Sequence, residues 1–255
     1  MIKLVCSDID NTLFKDGEAG GNRVLKALKA KGILPMLATG RSVADVLTIF
    51  PEAAENTVIA SYDGALVTIG DTVISDRPID GNLVSAFFDS FPKRGFADSS
   101  LIFYTAADCY VTGDSGVRAL KNADTMRGRV NRIGSPGEIS SKIYKISVYS
   151  DSERDFDYLF ADWENYMHCV YRKGNWCEFI AKDTDKGFAL NVTAEKFMIE
   201  KRDILAFGDG ENDFTMLEAA GCSYAVEGSA ADREEKADFV TLDVIRTIEE
   251  IALKQ

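Results

Sequence analysis

The sequence predicts an α/β fold, a doubly wound parallel sheet core interrupted by an inserted α+β domain. Three observations carry this. Short apolar runs alternate with helix-length amphipathic stretches up to about residue 61 and again after residue 182. Between these stretches the texture changes to aromatic-rich, antiparallel-looking strands mixed with helices. Polar clusters directly follow several of the apolar runs, where the carboxyl ends of parallel strands would form one ligand-binding rim.

The first run, I-K-L-V-C, reads as a buried strand that ends at Asp8 and Asp10. Two acids in i, i+2 register lie on the same side of an extended chain, roughly 6–7 Å apart. Unpaired they would repel. Either a cation sits beside them, or they divide an acid and a nucleophile role; a solvated turn is the plainer alternative. A polar, glycine-rich loop follows, K-D-G-E-A-G-G-N, with Asn22 placed to cap a helix carrying Val24, Leu25 and Leu28 on one face and stopping at Gly32. I-L-P-M-L-A is the next strand, with Pro35 expected at its start because proline cannot donate to a ladder. It leads into Thr39-Gly40-Arg41 and a helix with Val43, Val46, Leu47 and Phe50 inward. V-I-A-S is a third strand, and A-L-V-T-I, Gly70-Asp71, T-V-I-S-D reads as a β-hairpin.

Residues 80–181 are expected to form the inserted domain, with residues 1–79 and 182–255 as the core. Helical stretches at 83–91, 115–123 and 153–165 lie among the strands L-I-F-Y-T, D-C-Y-V-T, K-I-Y-K-I-S-V-Y, M-H-C-V-Y-R and W-C-E-F-I-A. After residue 182, Asp185 can cap a helix that opens at Lys186. I-L-A-F is a buried strand leading into Gly208-Asp209-Gly210-Glu211-Asn212-Asp213 and a helix bearing Met216, Leu217 and Ala220. S-Y-A-V and D-F-V-T are the last strands.

Composition narrows the function. The net charge of -12 argues against nucleic-acid and anionic-membrane partners, whose fields would repel the chain. The five cysteines contain no C-x-x-C pair, which fits a reducing cytoplasm better than a zinc or disulfide framework. No run of 18 apolar residues occurs, so a soluble cytoplasmic protein is expected. The one histidine, His168, reads as a buried or half-buried strand residue, which leaves little material for a histidine-dependent triad. Several acids with a lysine, a threonine and a glycine turn suggest instead a hard cation and a phosphate ester, since phosphoryl transfer depends chiefly on positioning and charge neutralisation.

In order along the chain, D-I-D-N-T-L, T-G-R, K-G-F-A-L and G-D-G-E-N-D resemble the four motifs of the haloacid dehalogenase superfamily. The large insertion resembles the C2-type cap of its Cof-like, subclass IIB phosphatases. The resemblance implies a Rossmann-like core and a Mg²⁺-dependent phosphatase acting on a small phosphorylated metabolite. It implies Asp8 as the nucleophile that carries an aspartyl-phosphate, and Asp10 as the general acid and base. It places the metal on Asp8, the backbone carbonyl of Asp10 and Asp209, with Asp213 supporting from behind. Thr39, Gly40, Lys186 and Asn212 would hold the phosphoryl group, with Asn212 also near the metal's waters. A phosphomutase is the alternative, for which Arg118, Lys121, Arg127, Arg129 and Arg132 could grip a second phosphate. Two departures stand out. Asn11 occupies a position where many relatives have glycine, and asparagine tolerates left-handed backbone. S-Y-D-G-A replaces the subclass's usual N-G-A, so that Asp63 puts a charge where a neutral amide is common. The sequence leaves the oligomeric state open.

Overall fold

The computed structural model describes residues 1–14, 20–91, 99–123, 129–151 and 156–254. They divide into two compact units, one of residues 1–40, 46–76 and 185–255, the other of residues 41–45 and 77–184.

The first unit is built on an eight-stranded sheet. Its strands are β1 (Leu4–Ser7), β2 (Leu34–Ala38), β3 (Val58–Ser61), β4 (Leu66–Ile69) and β5 (Thr72–Asp76). Those from the C-terminal half are β12 (Ile204–Gly208), β13 (Cys222–Val226) and β14 (Phe239–Thr241). The order is β14-β13-β12-β1-β2-β3-β4-β5. All pairings from β14 to β3 are parallel, and the β3–β4–β5 meander is antiparallel. The chain leaves β1 outward through β2 and β3, then returns to the opposite side of β1 through β12. The carboxyl end of β1 is therefore the point where strand order reverses, the place at which open α/β sheets bind ligands.

Alternating side chains bury both faces of this sheet. Leu4, Cys6, Met36, Ala38, Val58 and Ala60 share a core with Ala189 and Leu190 of α6 (Lys186–Lys196) and Met216 and Leu217 of α7 (Phe214–Ala219). Helix α1 (Gly20–Ala30) buries Val24, Leu25 and Leu28 and packs on β2 and on α9 (Val244–Ile251). The helix begins two residues before Asn22, which corrects the expected cap. The Asn22 side chain instead donates to Ile49 O and accepts from Glu52 N, tying α1 to the segment before β3. Pro35 is the second residue of β2, not the first. Leu34 N donates to Lys3 O at 2.8 Å, so the Pro35 nitrogen faces the β3 side, where pairing starts only at Met36. No ladder bond is lost there.

The second unit holds a six-stranded sheet ordered β10-β11-β9-β6-β7-β8. These are β6 (Ser100–Tyr104), β7 (Cys109–Val111), β8 (Val130–Arg132), β9 (Lys145–Tyr149), β10 (Met167–Lys173) and β11 (Trp176–Ala181). All its pairings are antiparallel except β7–β8. One face buries Leu101, Phe103, Ile146, Val148, Cys177 and Phe179. They pack with Phe87 of α3 (Gly81–Ser90) and Leu159 and Trp163 of α5 (Asp157–Trp163). The third helix is α4 (Asp114–Ala123). The short, mostly exposed β8 carries no apolar alternation and has no sequence signal. Residues 153–155 of the expected helical stretch 153–165, like Arg127 and residues 15–19 of the first loop, lie outside the described residues. His168 is half-buried in β10, with Nδ1 2.6 Å from Thr184 O, a distance at which that nitrogen donates to the carbonyl. All five cysteines are free.

Candidate active site

Four loops of the first unit supply the site, each following a strand or opening a helix. Asp8 extends β1 by one residue, its N donating to Phe207 O at 3.0 Å. The chain then closes a tight turn, with Phe14 N on Ile9 O at 2.8 Å and Asn11 N on Phe14 O at 3.1 Å. Asn11 takes φ +61° there, the left-handed conformation its side chain tolerates. Asp10 lies half-buried in this turn. Thr39 follows β2, is buried, and donates its N to Ala60 O at 2.9 Å. Gly40 comes next and is half-buried.

Lys186 opens α6, which Asp185 caps by accepting from Phe188 N at 2.6 Å. The helix reaches its place because Gly187 has no side chain: a Cβ there would stand 2.6 Å from Thr215 O of α7. Asp213 closes the loop after β12. Its Oδ2 accepts from Asp209 N and Gly210 N, both at 2.9 Å.

The side chains converge on Lys186, only 1% exposed. Its Nζ lies 2.6 Å from Asp8 Oδ1, 2.6 Å from Asp213 Oδ1 and 4.0 Å from Asp63 Oδ1. Asp209 Oδ1 accepts from the Thr12 hydroxyl at 2.8 Å. Asn212 Nδ2 donates to Asp63 Oδ1 at 2.8 Å. One oxygen each of Asp8, Asp209 and Asp213 lie within 4.8 Å of one another. Asp213, not Asp10, completes this set of side-chain oxygens.

Burial sets the electrostatics. It pushes the Asp8 carboxyl well above the usual carboxylate range; Lys186 opposes this and Asp213 adds to it. Asp209 is raised for the same first reason, with the Thr12 hydrogen bond opposing. Burial alone would lower the Lys186 ammonium, but Asp213, Asp8 and Asp63 together hold it well above its ordinary value. Three carboxyl groups, those of Asp8, Asp213 and Asp63, thus lie within 4.0 Å of one buried ammonium, with Asp209 close by. An all-oxygen donor set with surplus negative charge suits a hard divalent cation.

The sequence singles out Asp8, Asp10, Thr39, Gly40, Lys186, Asp209, Asn212 and Asp213. Thr39 and Gly40 reach the cluster through the stretch that carries Asp63, since Thr39 O accepts from Asp63 N at 2.9 Å. Thr12, inside the first motif, has no part predicted from the sequence; its only signal there is a hydroxyl two residues beyond Asp10. Asp63 stands out in the sequence as a departure, but its contacts with Asn212 and Lys186 depend on residues far away in sequence.

Residues 5–245 match the haloacid dehalogenase-like hydrolase family. The chain belongs to that family. Within this haloacid dehalogenase family it is a phosphatase-type enzyme, with the four motifs and inserted α+β domain of the Cof-like members. It is 30% identical, over 95% of its length, to a Streptococcus pyogenes protein whose name pairs a phosphatase with a peptidyl-prolyl cis-trans isomerase; the chain spans 51% of that relative. It is 25% identical to the 5-amino-6-(5-phospho-D-ribitylamino)uracil phosphatase YwtE of Bacillus subtilis, over 94% of this chain and 93% of the other. The fold is similar to that of a Eubacterium rectale protein (TM-score 0.86, 21% identity, 98% of each chain). It is also similar to that of the subclass IIB sugar phosphatase BT4131 (TM-score 0.79, 18% identity, 98% and 99% of the two chains). No described helix is long and apolar enough to cross a membrane.

Proposed function

We propose that this haloacid dehalogenase-family enzyme is a cytoplasmic, Mg²⁺-dependent phosphatase that hydrolyses a small phosphomonoester, a sugar phosphate or similar metabolite, through an aspartyl-phosphate. The observation that carries the reading is the Asp8–Lys186–Asp213 contact set beside Asp209. It joins acids separated by some 200 residues of chain around one ammonium at the strand-order reversal.

Asp8 attacks the phosphorus, and the ester P–O bond breaks as Asp10 gives its proton to the leaving alkoxide. Asp10, now a base, takes a proton from water. The water oxygen attacks the phosphorus, the bond to Asp8 breaks, and phosphate leaves. Lys186, Thr39, the Gly40 amide and Asn212 hold the phosphoryl oxygens. Lys186 also fixes the plane of the Asp8 carboxylate through Oδ1. Asp8, the Asp10 carbonyl and Asp209 would hold Mg²⁺, which when bound neutralises charge on the acids and the phosphate. Asp213 keeps Lys186 and the 209–210 backbone in place.

Residues 80–181 serve in this proposal as the cap domain that selects the leaving group. The relatives point to varied small phosphate esters. Besides the ribitylaminouracil phosphatase, a Thermoplasma volcanium phosphoglycolate phosphatase is 25% identical over 94% of the chain. The phosphomutase alternative loses ground because two of its proposed cations already have acidic partners: Arg118 pairs with Asp151 and Arg132 with Asp114. A phosphate-release screen over phosphorylated metabolites with Mg²⁺, with Asp8→Asn as control, tests the proposal. Release that persists in Asp8→Asn would overturn it, and transfer to a sugar hydroxyl in place of water would favour the mutase.

A further inference from the structure

We propose that Asp63 is a positioning residue of this site: its carboxylate orients Asn212 and adds a third negative partner to Lys186. The proposal rests on the phosphatase reading above and extends it to a residue outside the four motifs.

The backbone gives the first reason. Tyr62 and Asp63 take φ +52° and +53°, and Gly64 follows at +99°. Two successive non-glycine residues in the left-handed region are costly, and persist only where the surroundings over-determine them. Here they do. Asp63 N donates to Thr39 O at 2.9 Å, and Gly64 lies so close to Asp185 that a Cβ on it would stand 2.4 Å from the Asp185 carbonyl oxygen. The stretch is therefore held between the residue after β2 and the residue before Lys186.

The side chain gives the second. Asp63 is only 3% exposed. Its Oδ1 accepts from Asn212 and lies 4.0 Å from Lys186 Nζ, while Oδ2 lies 3.2 Å from where a side-chain carbon on Gly40 would stand. One carboxylate thus meets a residue from each of the second, third and fourth motifs. An ionised carboxylate only accepts hydrogen bonds. Asn212 must therefore turn Nδ2 toward Asp63, and its Oδ1 lies over Gly210, 2.5 Å from where a Gly210 Cβ would be. A neutral amide at position 63 could still accept from Asn212 through its oxygen but would place no charge beside Lys186.

Two substitutions separate the roles. Asp63→Gly removes the carboxylate while suiting the left-handed backbone, so the fold is kept. Asp63→Asn restores an acceptor without the charge. With a Mg²⁺-supported phosphomonoester assay, Asp63→Gly should lower kcat about 10- to 100-fold with little change in KM. Asp63→Asn should recover part of the loss, and Asp63→Gly combined with Asn212→Ala should lose less than the product of the two single losses. The Asn212 side-chain amide resonances, assigned by their loss in Asn212→Ala, should shift in Asp63→Gly and return toward their original place in Asp63→Asn. Wild-type turnover in Asp63→Gly, multiplying losses in the double variant, or unmoved Asn212 resonances would overturn the proposal. If the wild-type chain releases no phosphate in an Asp8-dependent way, the phosphatase reading fails instead, and the resonances still decide whether Asp63 holds Asn212.

Discussion

Lys186 Nζ and Asp8 Oδ1 stand 2.6 Å apart across 178 residues of sequence, with the lysine side chain 1% and the aspartate 8% exposed. A buried pair of this kind is weak evidence for stability, yet removing one partner strands the other. Lys186→Ala would leave Asp8 and Asp213 facing each other without their ammonium. We expect a loss of about 3–5 kcal/mol in urea unfolding with EDTA present, and a smaller loss with Mg²⁺, which would take over part of the neutralisation.

Asp8→Asn retains a side chain of the same shape, and Lys186 still has Asp213 at 2.6 Å. The expected outcome is a melting curve near that of the wild type with phosphate release at background. Asp10→Asn should slow turnover about 10²- to 10⁴-fold. If dephosphorylation is hit hardest, mass spectrometry of the protein during turnover should detect an 80-Da adduct, roughly the mass of the PO₃ unit, on Asp8.

Mg²⁺ should raise the melting temperature, with about 2.7 kcal/mol expected at a hundredfold excess over Kd. Asp209→Asn should lose most of this rise, and EDTA should abolish activity. The pH dependence follows from the raised Asp8 and Asp209 carboxyls. A carboxyl raised in the folded, metal-free chain favours folding most below its unfolded value, and that contribution fades as pH rises through the folded value. The cation needs both groups charged, so protons compete with it. The Mg²⁺-induced shift should therefore shrink on acidification, starting above the ordinary carboxylate value of about 4. An unchanged shift down to that pH would contradict the assignment of these ligands.

Gly64→Ala places a methyl group against the Asp185 carbonyl at a φ of +99°. The expected cost is about 1–3 kcal/mol in chemical unfolding. Because Asp185 caps the helix that carries Lys186, activity should fall with it. Full activity with wild-type stability would mean that the segment relaxes freely.

Asp203, which directly precedes β12 and so lies at the opposite end of that strand from Asp209, gives a separate acid-stability test. The Lys3 hydrogen bond and ion pair at 2.7 Å hold its carboxyl below the usual value. A depressed carboxyl contributes stability above its unfolded value of about 3.9, and that contribution is lost as pH falls through the folded value. Asp203→Asn should therefore destabilise at neutral pH and flatten the acid limb of the stability curve. Parallel curves for variant and wild type would remove the linkage.

Much of the fold was legible because period and punctuation act locally. L-V-C, V-I-A-S and I-L-A-F are short apolar runs bounded by turn residues, and each is a strand of the first sheet. Elsewhere tertiary context overrides the local signal. Asn22 has a capping side chain, but its donor and acceptor are both drawn to residues 49 and 52. β8 has three residues and little burial, so it exists only because β7 lies beside it.

By itself the sequence determined which residues end the strands, and so which acids, hydroxyl and lysine could share one rim. Only the tertiary structure decided their partners: Lys186 lies between Asp8 and Asp213, Thr12 donates to Asp209, and Asp63 reaches Asn212. The reason is physical. Strand and helix character follow from neighbours a few residues apart, whereas the charge of a buried carboxylate depends on whatever ammonium, amide or hydroxyl the folded chain brings within about 3 Å of it.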